Sequence, residues 1–453
     1  MAKVFPFRGF RYNPEKIKDL SRVLAPPYDV ISSEAQERYY QRHPYNVIRL
    51  ILGKEYPGDN AFNNRYTRAA RDFKRWQEEG VLVRDERPTL YIYEQAFTLK
   101  RGEKKRRKGV IALVKLEGFA KGEVLPHEWT HARPKWDRLE LMRACCANLC
   151  PIFSFYSEGC EVIPGILDSA MSYVPAVEIR DEDGVEHRLW LLEDPDKISL
   201  VSQDLVNKKV FIADGHHRYE TALAFRHDLW LKDPDPPEKK AQKAYNFIMM
   251  MLVDIADEGL AILPTHRLVR GLEPLEMESL LSRFGLYFQV EARQLSRGRE
   301  IEELETIMEE MQARGNKGHV FGMYGGGQDF YFLTLRDEKV LENLIEAPRS
   351  FTYKRLDVTI LHSLIIDGLL GISAEEAERE EKLAYTRDEG EAFQRVREGK
   401  YQLALFLNPT KLEEVRQVAS AMERMPQKST FFYPKLITGL VINPIDPKET
   451  VSY

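Results

Sequence analysis

The sequence predicts a mixed α/β fold, and three observations carry that expectation. From residue 185 onward, short β-branched or aromatic apolar runs alternate with segments whose apolar residues recur at helical spacing, the pattern of interleaved strands and helices. The 21 tyrosines, 22 phenylalanines and 24 prolines suit strands and ordered loops. With 453 residues, 43% of them hydrophobic, the chain can bury a core without disulfide or metal staples.

Taken in order, the first 53 residues read as short strands and turns, with apolar pieces at 23–25 and 47–52 around the turn-forming Pro26-Pro27-Tyr28-Asp29. Over 60–80, Phe62, Tyr66, Ala69, Ala70, Phe73 and Trp76 fall on one helical face, and Gly80 stands as its C-cap. Strand-like runs at 89–99 and 109–116 flank Lys100-Arg-Gly-Glu-Lys-Lys-Arg-Arg-Lys108, which reads as a hairpin with a basic tip. Residues 185–192 and 209–213 read as strands and 214–230 as a helix, followed by a polar, proline-rich connection at 233–240. Strands at 245–255, 259–263 and 286–292 then alternate with helices at 274–284 and 299–314, and Gly325-Gly-Gly327 reads as a hairpin turn. The tail predicts a helix at 356–370, a strand at 402–407, a helix at 412–422 and an apolar strand at 436–442. The expected divisions are a nucleotide-binding core with insertions over 1–240, an α/β region over 241–350, and a C-terminal α/β region over 351–453 that contributes to the site.

Composition removes several classes of function. Lys and Arg number 66 against 71 Asp and Glu, a formal charge of -5 that creates no whole-chain attraction to nucleic acid or anionic membrane. The basic tip lacks the interleaved aromatics that stack on single-stranded bases, so nucleic acid is not an expected partner. The longest apolar run, 247–253, is strand-sized and far short of the ~20 residues that span a bilayer. The N-terminus carries neither an apolar h-region nor a small-residue cleavage site. Cys145, Cys146, Cys150 and Cys160 share one segment without C-x-x-C spacing, which reads as reduced thiols in a cytoplasmic protein.

The densest chemistry lies in Lys209-Val-Phe-Ile-Ala-Asp-Gly-His-His-Arg-Tyr-Glu-Thr-Ala-Leu223, a buried-type strand that runs through an Asp-Gly turn into a helix. If Asp214 and Gly215 form the turn, the backbone N–H groups around Gly215, His216 and His217 point out of the helix N-terminus, where the macrodipole favours an anion. Glycine lets a phosphate approach the backbone, and His216, His217 and Arg218 add donors, Arg with a two-pronged fork. Tyr219, Ala222, Leu223, Leu229 and Trp230 form the anchoring face. The plain alternative makes Asp214 an ordinary N-cap.

Asp214-Gly-His-His-Arg-Tyr-Glu-Thr-Ala222 is similar to the phosphate-cradling motifs of sulfiredoxins and ParB-like proteins, and closer still to the D-G-H-H-R motif of archaeal free-serine kinases. From Phe5-Pro-Phe-Arg-Gly9 through Ala25-Pro-Pro-Tyr-Asp-Val30 and Arg42-His-Pro-Tyr-Asn-Val47 to the tail, the chain resembles the prokaryotic family of unknown function numbered one thousand and fifteen. The resemblance implies a ParB/sulfiredoxin-like core with large insertions and a C-terminal α/β extension. It carries Gly215, His217 and Arg218 over as phosphate-binding positions. His216 stands where sulfiredoxin has its reactive cysteine, which excludes sulfinic-acid repair, and no helix-turn-helix module of the ParB type is evident. What the resemblance implies is a nucleotide (ATP or ADP) as cofactor, Mg²⁺ with it, and phosphoryl transfer to a small hydroxyl metabolite such as free serine, in the sphere of serine metabolism. Because those kinases place an acidic residue early in the chain, Asp29 is the expected catalytic base, with Glu128 in reserve and His217 also catalytic. A phosphomonoester hydrolase and a non-catalytic nucleotide-gated binding module are the rival readings.

Two further groups are expected at the site as substrate-binding residues. In Pro126-His-Glu-Trp-Thr-His-Ala-Arg-Pro-Lys-Trp-Asp-Arg138, the residues His127, Thr130, Lys135, Asp137 and Arg138 form a polar loop around Glu128. The same stretch matches H-E-x-x-H through His127 and His131, but Pro126 and Pro134 leave too little helix for a zinc peptidase, which stays an outsider. Near the C-terminus, Lys428, Ser429, Thr430 and Lys435 suit phosphate, and the resembled family carries a similar pattern there. Pro264-Thr-His-Arg267 is a weaker candidate, and His362 reads as a core histidine.

Overall fold

The computed structural model describes residues 3–273, 276–344, 349–379 and 381–451. The fold is mixed α/β, and the chain divides into two compact units. The first comprises 1–126, 130–261 and 434–453, and the second 127–129 and 262–433.

The first unit is built on a nine-stranded mixed sheet. Its strands run in the order Val124–Leu125, Val210–Asp214, Ile152–Tyr156, Phe247–Asp254, Lys104–Lys115, Leu90–Thr98, Glu186–Leu192 and Val177–Arg180, with Val4–Phe5 paired beside Lys104–Lys115. Val210–Asp214 lies parallel to Val124–Leu125 and antiparallel to Ile152–Tyr156, with a register shift between Ile212 and Asp214. One face of the sheet presents Ile92, Val110, Ala112, Ile152, Ile212 and Met250 to a core closed by the helices Ile163–Met171, Pro195–Leu205 and His216–Lys232. The opposite face buries Tyr91, Tyr93, Gln95, Arg107 and Phe153. The alternation follows from the period of two along each strand.

Three sequence expectations change here. Residues 33–42 form a helix capped by Ser32, and the apolar piece at 47–52 is the short buried helix Ile48–Ile51 rather than a strand. A short apolar run does not distinguish a strand from a buried helix. The basic segment is mostly strand, not tip: Leu99 N–H closes a turn on the Glu103 carbonyl, and Lys104 to Lys108 pair with Glu94 to Thr98. Charges there are met by Glu103, Glu94 and Asp168 across short distances, while Arg107 turns inward. Residues 436–442 make single bridges, Ala25 to Thr438 and Phe10 to Ile442, around Gly439 at φ +103°, and are not a regular strand.

The second unit has a six-stranded antiparallel sheet in the order Phe288–Gln294, Asp329–Leu335, Val320–Tyr324, Leu403–Leu407, His266–Val269 and Leu383–Thr386. The 325–327 turn joins Val320–Tyr324 to Asp329–Leu335, as its glycines predict. Alternate residues feed two cores. Phe321, Met323 and Leu405 pack with Leu280, Phe284 and Leu361, whereas Tyr324, Ala404 and Phe406 pack with Ile307, Met311 and Phe393. The helix expected at 356–370 is a turn of α-helix, Asp357–Ile360, that continues as a π-helix over Leu361–Leu369. The helix expected from 274 runs over Met277–Phe284, and Pro274 and Leu275 lie outside the described residues. No helix among the described residues is long and apolar enough to cross a membrane.

Candidate functional site

The site forms where Val210–Asp214 leaves the first unit's sheet. Gly215 follows at φ +100° and ψ +27°, a left-handed conformation that ordinary residues avoid, and the 17-residue helix His216–Lys232 starts directly after it. No side chain caps this helix. Asp214 is therefore not the N-cap; its carboxylate has other partners. Arg218 Nη2 donates to Asp214 Oδ2 at 2.6 Å, and the Lys435 ammonium pairs with Asp214 Oδ1. Arg218 Nη1 also donates to the Pro151 carbonyl, at the start of the neighbouring strand. The guanidinium lies so close over the turn that a Cβ added to Gly215 would sit 2.9–3.0 Å from it.

Burial alone would raise the Asp214 carboxyl, but Lys435 and Arg218 outweigh it and hold the group well below the usual carboxylate range. Burial likewise works against the charge on Arg218, yet the Asp214 carboxylate keeps the guanidinium's pKa above its ordinary value. Asp29 occupies the one-turn helix Tyr28–Val30, behind Pro27. Asp29 is solvent-accessible, yet desolvation by the protein packed near its carboxyl, then repulsion from Asp214, raise its pKa, with Lys435 and Arg218 offsetting part of the effect. Residues 29, 214, 218 and 435 thus act on one another as a single electrostatic cluster.

Its supports come from three distant stretches. Thr438 exchanges two backbone hydrogen bonds with Ala25, which ties the tail to the segment leading into Asp29. Arg138 places its guanidinium 3.9 Å over the Tyr28 ring and donates to the Ile51 carbonyl and to Asp137. Asp137 in turn accepts from Tyr66 at 2.8 Å and from Arg65. Asp137 and Arg138 therefore brace the wall beneath Tyr28. Thr130 and Lys135 both donate to Glu220 Oε2, at 2.6 and 2.9 Å. The His131 N–H donates to His217 Nε2 at 3.0 Å, and the two rings stack. That contact fixes Nε2 as an acceptor, so the His217 proton sits on Nδ1. Burial, reinforced by His131, pushes the His217 pKa down to about 4. His216 is buried beside Asp214, whose negative charge it helps to stabilise.

The remaining expected residues belong to the second unit. His127 Nε2 lies 2.9 Å from Thr430 Oγ1, which donates to Glu128 Oε1 at 3.2 Å. Ser429 is buried and donates to the Pro426 carbonyl, and Lys428, at φ +56°, reaches toward the Tyr385 ring. Arg267 is fully buried, with Nη2 on the Lys428 carbonyl and 3.2 Å from His362 Nε2. Burial and that guanidinium push His362 down to about 3, so it is a neutral core histidine. Residues 126–131 contain no helix, and the H-E-x-x-H stretch lacks the helical face that zinc-peptidase chemistry requires.

Sequence reasoning missed Tyr28 and Glu220 beside these residues, and the buried polar pair Gln95 and Arg107 on the sheet. Arg107 was hidden inside a run of like-charged residues, and only strand alternation, had the strand been extended back to 104, would have turned it inward.

Residues 4–359 match the family model described as "Protein of unknown function (DUF1015)". The chain belongs to the DUF1015 family. The match ends before Lys435 and the 428–430 segment, so the DUF1015 assignment rests on the part of the chain that contains Asp29 and the 214–218 motif. No curated protein matches the chain in sequence. Among solved structures, a conserved hypothetical protein from Pyrococcus furiosus is 14% identical, covering 72% of this chain and 94% of its own, with a TM-score of 0.32. A structure titled as a free serine kinase in complex with AMP is 13% identical, covering 73% and 92%, with a TM-score of 0.32. A C-terminally truncated SbnI from Staphylococcus aureus is 12% identical, covering 73% and 87%, with a TM-score of 0.33. Likeness at this level carries no argument about this chain's chemistry, which rests on the geometry above.

Proposed function

We propose that the 215–218 turn of this protein holds the phosphates of a nucleotide and that a phosphoryl group passes from it to a small hydroxyl metabolite. The observation that carries the reading is the convergence of Arg218 and Lys435 at an uncapped helix N-terminus opened by a left-handed glycine. Backbone N–H groups, the helix dipole and two cations all favour an anion there, and Gly215 leaves no Cβ in its path. His217 is neutral at pH 7 and offers its Nδ1–H, a donor without a charge.

Asp29 is the base in this reading. A raised pKa makes its carboxylate a better proton acceptor than an ordinary aspartate. The acceptor oxygen attacks the terminal phosphorus, the bond to the departing nucleotide oxygen breaks, and the hydroxyl proton passes to Asp29. Asp214 is also a hard oxygen donor of the kind that suits Mg²⁺, which would supply charge neutralisation for the phosphates. Asp214 pairs with Arg218 and Lys435; a phosphate would compete for both cations, and Asp214 would then be the residue placed to help hold the ion. Free serine is the first acceptor to try, because the Asp214 to Ala222 motif resembles that of the archaeal free-serine kinases.

The test is a thermal-shift screen with nucleotides, followed by an assay of nucleotide consumption with and without hydroxyl acceptors. Stabilisation by ADP or ATP and acceptor-dependent turnover are the expected results. Release of inorganic phosphate from phosphomonoesters without a nucleotide would make the protein a hydrolase instead, and binding without turnover would make it a nucleotide-gated module.

A further inference from the structure

Lys435 reaches Asp214 from an irregular stretch of chain, and what holds that stretch is a row of buried polar side chains on one face of the sheet. Gln95 and Arg107 are a register pair across the strands Leu90–Thr98 and Lys104–Lys115, and both are fully buried. Arg107 Nη2 donates to the Gln95 side-chain carbonyl and to the main-chain carbonyl of Pro434. Gln95 Nε2 donates to the next carbonyl, that of Lys435, at 2.9 Å. Two residues along the same strand face, the Tyr93 hydroxyl accepts from the Ile437 N–H at 3.4 Å. Tyr93 is held from behind by His187 Nδ1 at 2.6 Å, and His187 Nε2 by Asp181 Oδ2 at 2.9 Å. The Arg107 guanidinium also lies 4.3 Å over the ring of Phe153, the residue in register with Asp214.

We infer that Gln95, Arg107 and Tyr93 are positioning residues that fix the main chain at 434–437 and so aim the Lys435 ammonium at the phosphate site. Arg107, Gln95 and Tyr93 each make a hydrogen bond to the backbone of the tail, at Pro434, Lys435 and Ile437 respectively. A guanidinium and an amide are costly to bury, and apolar residues would fill the same face at lower cost. The return for that cost is placement: main-chain carbonyls of adjacent residues are gripped by donors from neighbouring strands, which fixes the point and direction from which the Lys435 side chain leaves the backbone. A long, flexible lysine stem otherwise loses much of its value as a phosphate ligand to rotamer freedom.

The inference rests on the reading of Lys435 as part of the phosphate site, and a double-mutant cycle separates the two. ADP affinity is measured for the wild-type protein, Lys435→Met, Gln95→Met and the double variant, with Tyr93→Phe as a second, milder change in the same row. Lys435→Met is expected to weaken ADP about tenfold, the loss of one charge-assisted contact. Gln95→Met should produce most of that loss by itself and little more once Lys435 is gone, and hydrogen exchange at 435–438 should speed up in Gln95→Met and Tyr93→Phe. Losses that simply add would mean a general structural role and overturn the positioning assignment. Unchanged affinity in Gln95→Met while Lys435→Met is weakened would do the same. Unchanged affinity in Lys435→Met itself would instead remove Lys435 from the phosphate site, and the positioning role with it.

Discussion

Gly215 combines two demands that no other residue type meets together: a backbone at φ +100° and a guanidinium packed where a Cβ would stand. Gly215→Ala should therefore cost roughly 1–3 kcal/mol of stability, read from urea unfolding, and should displace Arg218 enough to weaken nucleotide binding. His217 makes a pH prediction. Its folded pKa is depressed to about 4 from 6.5, so between those values the unfolded chain binds more protons than the folded one. Stability contributed by this group is present above pH 6.5 and is lost as pH falls toward 4, and His217→Asn should flatten that part of the stability profile. Asp214, depressed below the usual carboxylate range, contributes stability that is lost only at lower pH, as its own proton returns. Asp29 moves the other way: its folded pKa is raised, so its ionisation opposes folding as pH rises through the carboxylate range. Carboxyl NMR should find Asp29 titrating above an ordinary aspartate, and Asp214→Asn should bring it down by removing the repulsion.

The strand-turn-helix that carries the motif was legible from sequence because each of its parts follows a local rule: an apolar run, an Asp-Gly turn, then helical spacing of Tyr219, Ala222 and Leu223. The helix starts two residues later than expected, at His216, because Gly215 occupies the left-handed region. Tyr219, Ala222 and Phe225 bury its inner face; the Tyr219 ring stacks on Phe119, and its hydroxyl donates to the Glu117 carbonyl at 2.9 Å. Phe225→Ala should lower stability by about 3–5 kcal/mol, seen as a lower urea midpoint at unchanged slope. Elements decided by tertiary contact were not legible. The apolar 47–52 piece became a helix, and the apolar 436–442 piece became an irregular tether because its hydrogen-bond partners, Phe10 and Ala25, lie more than 400 residues away in sequence. The π-helix over Leu361–Leu369 has no periodic signature of its own, since its apolar residues also satisfy an α-helical pattern.

At the scale of the molecule, the first unit is completed by the tail: Lys435 meets Asp214 across 221 residues of sequence, and the segment bearing Asp29 is bridged to Thr438. That the early Asp29, the central motif and the late Lys435 belong together could be guessed from chemistry, but no spacing rule joins residues so far apart. Nucleotide binding should accordingly slow hydrogen exchange in three separate stretches of this unit, around 28–30, 214–219 and 434–438. The central claim is the phosphate cradle, and calorimetric titration of ADP into wild-type and Arg218→Ala protein tests it most directly. Loss of charge-assisted bonds worth ~1.5–3 kcal/mol should weaken binding by about 10- to 100-fold, whereas equal affinity in a correctly folded Arg218→Ala protein would contradict the account.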